Sequence, residues 1–187
     1  MLPPSIQSPE SVLRTYFRAK DENRPHLIEH AFTQDAVLEI RNRASSIAFP
    51  AKSMGREAIA EVLARRFGQT FENVYTFYLA RPAEGSETFR CDWLVVMSEK
   101  EGRHVRVGCG QYDWTFDAAS AGLASHLVIT IEAMQILPPA SWGAVAAWLD
   151  RLAYPWSSAK AVLAAAPPLE GLAPVVDYLA RNSRHIP

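Results

Sequence analysis

The sequence predicts an α+β domain in which amino-terminal helices pack on an antiparallel sheet, and three observations lead to this fold class. Apolar side chains recur mainly at helical spacing over residues 8–67. Residues 73–137 are instead rich in β-branched and aromatic residues, with turn signals between the runs. Helical patterns return after Pro138 and Pro139. A chain of 187 residues is long enough to bury one proper core and to carry an appendage.

The amino-terminal segment predicts three helices with one strand among them. The first helix should begin at Ser8, because a serine side chain can cap it and Pro9 fits the first turn. A short helix restarts at Pro25, a strand covers residues 36–41, and the third helix covers residues 53–67. The apolar side chains at helical spacing in the first helix are Val12, Leu13, Tyr16 and Phe17.

The run of strands should cover residues 73–80, 88–98, 104–116 and 125–137. The middle two strands can be placed in register if Glu101-Gly102 forms a two-residue turn. Arg90 then lies opposite Asp113, which makes a favourable charge pair on the outward face. Trp93 lies opposite Gly110, and we interpret this glycine as the space across which the indole lies.

The carboxy-terminal segment carries an aromatic-rich stretch, SWGAVAAWLDRLAYPW, and three short helical patterns. Because each buried aromatic side chain contributes roughly 1.5–3 kcal/mol, this stretch should be buried. It could pack on the outer face of the sheet, on a partner subunit or over the mouth of a pocket, and we favour packing over a lid. We therefore divide the chain into a domain of residues 1–138 and a helical extension of residues 139–187.

Composition argues against several classes of function. Nineteen Lys and Arg against 20 Asp and Glu leave a formal charge of -1, which gives no reason to expect nucleic acid or a membrane as a partner. The run HLIEH at residues 26–30 matches a zinc-peptidase pattern, but its polar side chains should face water, so we expect no metal. With two cysteines, no visible secretory signal and no cofactor motif, we predict a cytoplasmic protein without a cofactor.

The order of elements resembles that of the nuclear transport factor 2-like superfamily, which includes SnoaL-like polyketide cyclases and ketosteroid isomerases. The resemblance covers about residues 8–137 and rests on YFRAKDENRPHLIEHAFTQDAVLEI, on GREAIAEVL and on the GxYxWxF run that ends at Phe116. It implies a cone, in which helices close one end of a curved antiparallel sheet. The concave face of such a cone lines an apolar pocket, and the convex face commonly makes a dimer.

The resemblance also implies positions for catalytic groups. In ketosteroid isomerases a tyrosine on the first helix and an aspartic acid on a late strand form the oxyanion hole, while a second aspartate moves the proton. Aligning helix and turn places Tyr16 on the family's tyrosine and puts Ile40 where the proton-moving aspartate belongs. The late-strand acid falls at or beside Tyr112. Steroid isomerase chemistry by that route is therefore not expected.

Two functions remain open on the sequence. The first is a small enzyme of the isomerase, cyclase or dehydratase type, in which Tyr16 and Tyr112 donate hydrogen bonds to an oxyanion on an apolar carbonyl compound. The second is a non-catalytic module that binds a ligand or assembles as a dimer. Leu94 and Val96 on the outer face favour a homodimer, because an exposed apolar sheet face needs a cover. The residues expected to line the pocket are Ile40, Cys91, Trp93 and Trp114, with core packing as the alternative for both indoles and for Tyr16.

Overall fold

The computed structural model describes residues 6–183 and confirms the predicted α+β fold class. Helix α1 (Pro9–Asp21) begins where the sequence predicts, because the Ser8 side chain caps it and accepts a hydrogen bond from the Ser11 N–H at 3.2 Å. A 3₁₀ helix (Pro25–His30) takes the place of the second predicted helix. The strands are β1 (Phe32–Asn42), β2 (Lys52–Met54), β3 (Phe71–Tyr78), β4 (Thr88–Glu99), β5 (Val105–Asp117) and β6 (Leu123–Leu137).

The third predicted helix starts later than expected. Strand β2 pairs with β1, so Ser53 lies opposite Leu38 instead of opening the helix. Gly55 has a φ of 84°, a conformation that glycine adopts without strain, and it turns the chain into α2 (Arg56–Ala60). The helix then continues through a π-helical turn (Glu61–Arg66) into α3 (Phe67–Thr70). Strand β2 has only three residues, so its alternation of exposed and buried side chains is too short to be recognised in the sequence.

The six strands form one sheet in the order β2-β1-β6-β5-β4-β3. Neighbouring strands are antiparallel except β1 and β6, which run parallel. The sheet is therefore mixed, whereas we expected an antiparallel one. Parallel neighbours need a long connection, and here the whole segment from β2 to β5 supplies it.

The register predicted for the central hairpin is confirmed. Arg90 lies opposite Asp113, and Trp93 lies opposite Gly110. The Arg90 guanidinium donates a hydrogen bond to the Asp113 carboxylate, as the predicted charge pair requires. The connection is wider than a two-residue turn, because the last hydrogen bond runs from the Glu99 N–H to the His104 carbonyl.

The two faces of the sheet bury two separate cores. The inner core lies between the concave face and the amino-terminal helices, and its largest side chains include Tyr16, Phe32, Tyr78 and Trp114. The outer core lies on the opposite face, beneath α4 (Trp142–Leu149), α5 (Ala159–Ala165) and α6 (Ala173–Asn182). Alternate residues of β3, β4, β5 and β6 contribute to the two cores, as the period of a strand demands.

The carboxy-terminal helices remove the reason for expecting a dimer through the outer face. Leu94 and Val96 are fully buried, because they pack in the outer core with Val145, Trp148 and other side chains of the same chain. The cover that the exposed apolar face needs is thus intramolecular. The aromatic-rich stretch packs on this face and along the edge of β3, as the packing alternative predicts.

Candidate functional site

A small cavity remains inside the inner core, with a volume of about 50 Å³. Side chains from α1, the helix after β2, and strands β1, β4, β5 and β6 form its wall. Residues of the loop between β1 and β2 close it. The lining residues are Tyr16, Lys20, Ile40, Ile47, Phe49, Leu63, Phe67, Val95, Met97, Tyr112, Ile129, Ile131 and Met134.

Tyr16 is the central polar group of this cavity. It lies on the apolar face of α1 and is fully buried, with its ring edge-on to Trp114 at 4.9 Å between centroids. Its hydroxyl has no hydrogen-bond partner within bonding distance among residues 6–183, although the ring of Tyr112 lies 6.3 Å away and the Tyr112 hydroxyl is near enough to lower the Tyr16 pKa slightly. A buried hydroxyl without a partner carries a free-energy cost that a ligand's acceptor atom would remove.

Burial keeps both cavity tyrosines protonated. It raises the pKa of the Tyr16 hydroxyl far above its ordinary value, and the negative charge of Asp21 raises that pKa further. Burial also raises the pKa of Tyr112, with a smaller contribution from Tyr16. Both phenols therefore offer an O–H donor to the cavity at neutral pH.

Lys20 is a cavity residue that the sequence reasoning missed. It lies one helical turn after Tyr16, and only 6% of it is exposed. Its Nζ forms a buried ion pair with Asp21 and donates a hydrogen bond to Thr76 Oγ1 at 3.0 Å. The signal that could have found it is the four-residue spacing, which puts a lysine on the same face as Tyr16.

The structure divides the six predicted site residues into two groups. Tyr16, Ile40 and Tyr112 come together on the wall of the cavity. Cys91, Trp93 and Trp114 lie in the same inner core but outside the cavity lining. The indole of Trp93 lies beside Gly110, where a Cβ atom would approach Trp93 Cζ2 to 2.8 Å. The glycine thus leaves space for the indole, as predicted, and the indole fills part of the cone.

The loop of residues 43–51 closes the cavity with the half-buried side chains of Ile47 and Phe49. Among the hydrogen bonds that hold it in place, three involve the stretch around Ser46 and Ile47. The Arg106 guanidinium donates to the Ser46 carbonyl at 2.8 Å, Ser46 Oγ donates to the Met134 carbonyl at 2.5 Å, and Asn42 Nδ2 donates to the Ile47 carbonyl at 2.6 Å. A second cavity of about 180 Å³ shares Ile47 and Phe49 with the first, so only loop side chains and Phe67 separate the two.

Other buried polar atoms of residues 6–183 also lack hydrogen-bond partners, among them the Tyr78 hydroxyl and the indole nitrogens of Trp93, Trp114 and Trp156, but these residues do not line the cavity. His26, Glu29 and His30 of the HLIEH run are exposed, as the sequence predicted. Within residues 6–183 no group of three His, Cys, Asp or Glu side chains is arranged to hold a metal ion. In that same segment no helix has both the length and the apolar character needed to cross a bilayer.

Comparisons with known proteins bear on the fold. No protein-family model matches the sequence, and no curated protein matches it. A nuclear transport factor 2-like superfamily protein from Salmonella enterica superposes with a TM-score of 0.52 at 16% identity, over 64% of this chain and 85% of that chain. A hypothetical protein with a ketosteroid isomerase-like fold from Catenulispora acidiphila, in complex with trimethylamine, gives 0.52 at 15% identity, over 66% and 85%.

An enzyme also matches in structure. Delta 5-3-ketosteroid isomerase from a Mycobacterium species superposes with a TM-score of 0.52 at 18% identity, over 70% of this chain and 99% of that chain. Identities this low establish shared architecture and leave the activity open. The chain therefore has the nuclear transport factor 2-like fold that the sequence predicted, with ketosteroid isomerase-like proteins among its structural neighbours.

Proposed function

We propose that this protein binds a small apolar carbonyl compound in the cavity, with the Tyr16 hydroxyl donating a hydrogen bond to the carbonyl oxygen. One observation carries the proposal. A fully buried hydroxyl that burial keeps protonated lines a largely hydrocarbon cavity and has no acceptor within residues 6–183. A carbonyl oxygen supplies the missing acceptor, and the apolar walls suit the rest of such a ligand.

The lining of the cavity favours binding over conversion. Proton abstraction needs a general base within hydrogen-bond reach of the ligand. Ile40 occupies the wall where the family resemblance puts that base, and the polar residues on the described lining are Tyr16, Lys20 and Tyr112. All three present hydrogen-bond donors. We therefore prefer a binding protein of the SnoaL-like class to an isomerase, cyclase or dehydratase.

The size of the cavity limits the ligand. On the same volume scale a single water needs about 10–15 Å³, so about 50 Å³ holds roughly three to five groups of that size. A ketone as small as butanone fits this space. A larger ligand would have to displace Ile47 and Phe49 and reach into the neighbouring cavity.

The experiment compares butanone binding to the native protein and to Tyr16→Phe by NMR titration. Loss of one hydrogen bond to a neutral acceptor should weaken binding roughly 2- to 10-fold. Tyr75→Phe is the matched control, because Tyr75 is 40% exposed and does not line the cavity. Equal affinity of Tyr16→Phe and native protein, or no saturable binding by the native protein, would contradict the proposal.

Three further expectations stay proposals. We place a domain boundary at Pro138, since the matched structures cover 64–70% of the chain and helices of a different packing follow. A homodimer or dimeric assembly module would need a surface other than Leu94 and Val96. The cytoplasmic location stays a prediction from the two cysteines.

A further inference from the structure

The cavity contains one cationic side chain, and its charge is already balanced. Lys20 lines the cavity, and its Nζ lies 4.8 Å from the centre of the Phe67 ring, which lines the cavity too. The Lys20 and Asp21 side chains are 7% and 1% exposed and form an ion pair. A buried ion pair of this kind presents donors and acceptors to its surroundings but no net charge.

The hydrogen bonds of the pair leave one donor for a ligand. A lysine ammonium has three N–H donors, and the described contacts use two of them, toward Asp21 Oδ1 and Thr76 Oγ1. The Tyr16 hydroxyl lies one turn earlier on the same face of α1 and has no described partner. Lys20, with one donor left, and Tyr16, with an unpartnered hydroxyl, therefore line the same small space.

The Asp21 carboxylate accepts its hydrogen bonds from groups other than a ligand. Its Oδ2 accepts from the Thr76 N–H at 2.9 Å and from the Tyr154 hydroxyl at 3.4 Å, and its Oδ1 accepts from Thr76 Oγ1 at 3.0 Å as well as from Lys20. Asp21 is absent from the lining of the cavity. It thus cancels the charge of Lys20 without offering an acceptor to a ligand.

We propose that Lys20 is the second donor to the ligand oxygen and that the Lys20–Asp21 pair restricts the site to neutral carbonyl compounds, excluding carboxylates of equal size. This inference rests on the proposed function. A neutral carbonyl oxygen accepts from both donors and leaves the cavity uncharged. A carboxylate would bring a buried negative charge with no free counter-ion, which low-dielectric surroundings disfavour strongly.

The test uses two probes of the same size, butanone and propanoate, which differ by the exchange of a methyl group for an anionic oxygen. The native protein should bind butanone at least 10-fold more tightly than propanoate. Asp21→Asn leaves the Lys20 charge without its partner, so it should raise the affinity for propanoate at least 10-fold. Binding of both probes is followed by NMR titration at neutral pH.

A neutral double variant tests the donor role. Lys20→Met with Asp21→Asn removes both charges together, which avoids leaving one of them buried alone. It should bind butanone roughly 2- to 10-fold more weakly than native protein and should still discriminate against propanoate. Lys52→Met is the matched control, because Lys52 is an exposed lysine on β2, and it should change neither affinity.

The outcomes separate this inference from the proposed function. If Tyr16→Phe weakens butanone binding but the neutral double variant does not, Lys20 is no donor and the cavity assignment stands. If native protein binds propanoate as tightly as butanone, or Asp21→Asn gains no affinity for propanoate, charge balance does not set the selectivity. If butanone does not bind native protein at all, the proposed function fails first.

Discussion

Three tyrosine rings dominate the centre of the inner core. Tyr16, Tyr78 and Tyr112 are each at most 3% exposed, and the rings of Tyr78 and Tyr112 lie 5.5 Å apart. Burial is the largest cause that raises the pKa of each hydroxyl. The hydroxyls of Tyr16 and Tyr78 have no hydrogen-bond partner in the described segment. The centre of the cone is therefore packed with aromatic rings whose polar atoms remain available.

These tyrosines predict a loss of stability at alkaline pH. Their folded-state pKa values are raised, so their contribution is complete below the unfolded value of about 10 and is lost as pH rises above it. In that range each tyrosine should lower the free energy of unfolding by about 1.4 kcal/mol for every pH unit. The three together should lower it by about 4 kcal/mol for every pH unit. Urea unfolding at a series of pH values above 10 measures the slope.

Tyr78→Phe provides the comparison, because Tyr78 does not line the cavity. The variant should reduce the slope by about 1.4 kcal/mol per pH unit. A free energy of unfolding that does not change with pH above 10 would show that these hydroxyls are solvated.

The two cysteines predict a second residue-level property. Burial raises the pKa of Cys109 to about 12, aided by the charge of Glu132, and burial also raises the pKa of Cys91. Both are free thiols, and they lie in the outer and inner cores respectively. Because the thiolate is the reactive form, native protein at pH 8 should react with a thiol reagent far more slowly than protein in urea. Equal rates in the two conditions would contradict the burial of both thiols.

At the scale of elements, β5 depends on two glycines of unequal importance. A Cβ atom at Gly110 would lie 1.9 Å from the Thr130 carbonyl oxygen, at the point where the register of β5 and β6 shifts. A Cβ atom at Gly108 would meet the end of the Met134 side chain at 2.4 Å and, less closely, the Ala133 carbonyl oxygen at 3.1 Å. A backbone oxygen cannot move aside without disturbing the sheet, whereas a methionine can adopt another rotamer.

The two glycines therefore give a matched pair of substitutions. Gly110→Ala should lower the free energy of unfolding by about 3 kcal/mol or more, because it overpacks a strand junction. Gly108→Ala should cost about 1 kcal/mol. Urea unfolding of both variants checks the order. A larger loss for Gly108→Ala would mean that Met134 is held more rigidly than the backbone of β6.

The parallel pairing of β1 with β6 explains a contact that the sequence did not reveal. His126 Nε2 lies 3.3 Å from Glu39 Oε1 across these two strands. Glu39 points outward because Leu38 and Ile40 are buried on the other face. The sequence could not show that an acid lies near His126, because the pattern of a strand does not say which strands become its neighbours.

At the scale of the whole molecule, the carboxy-terminal segment wraps the sheet on two sides. Its helices cover the outer face, where Trp148 Nε1 donates a hydrogen bond to the Val162 carbonyl at 3.0 Å. The segment before α5 covers the end of the free edge of β3, since the Tyr78 N–H donates to the Pro155 carbonyl at 2.8 Å and the Ser157 N–H donates to the Tyr78 carbonyl at 2.9 Å. Covering an edge strand in this way protects it from pairing with other chains.

This arrangement predicts that Leu94 stabilises the folded chain itself. Leu94→Asp buries an unpaired carboxylate in the outer core, so it should lower the free energy of unfolding by more than about 3 kcal/mol at any protein concentration. Thr88→Asp is the control on the same face of β4, where Thr88 is exposed, and it should stay within about 0.5 kcal/mol of native. If Leu94→Asp only changes the sedimentation behaviour and leaves unfolding intact, Leu94 serves an interface between chains.

The sequence by itself determined where α1 begins and how β4 and β5 face and pair. The cap at Ser8, the alternation along β4 and β5, and the pairing of Arg90 with Asp113 depend on neighbouring residues or on one short turn, so they can be predicted from local patterns. Tyr16, Ile40 and Tyr112 were brought to one site by the family resemblance, through the alignment of helix and turn, and all three line the cavity.

Only the tertiary structure decided how much of the cone stays empty, which groups are charged within it and what covers the outer face. The free volume depends on how Trp93, Trp114 and other large side chains from distant segments interlock. The Lys20–Asp21 pair is hydrogen-bonded to Thr76 and Tyr154, which lie far from it along the chain. Periodicity fixes the direction of a side chain, whereas its neighbours are set by the packing of the whole chain.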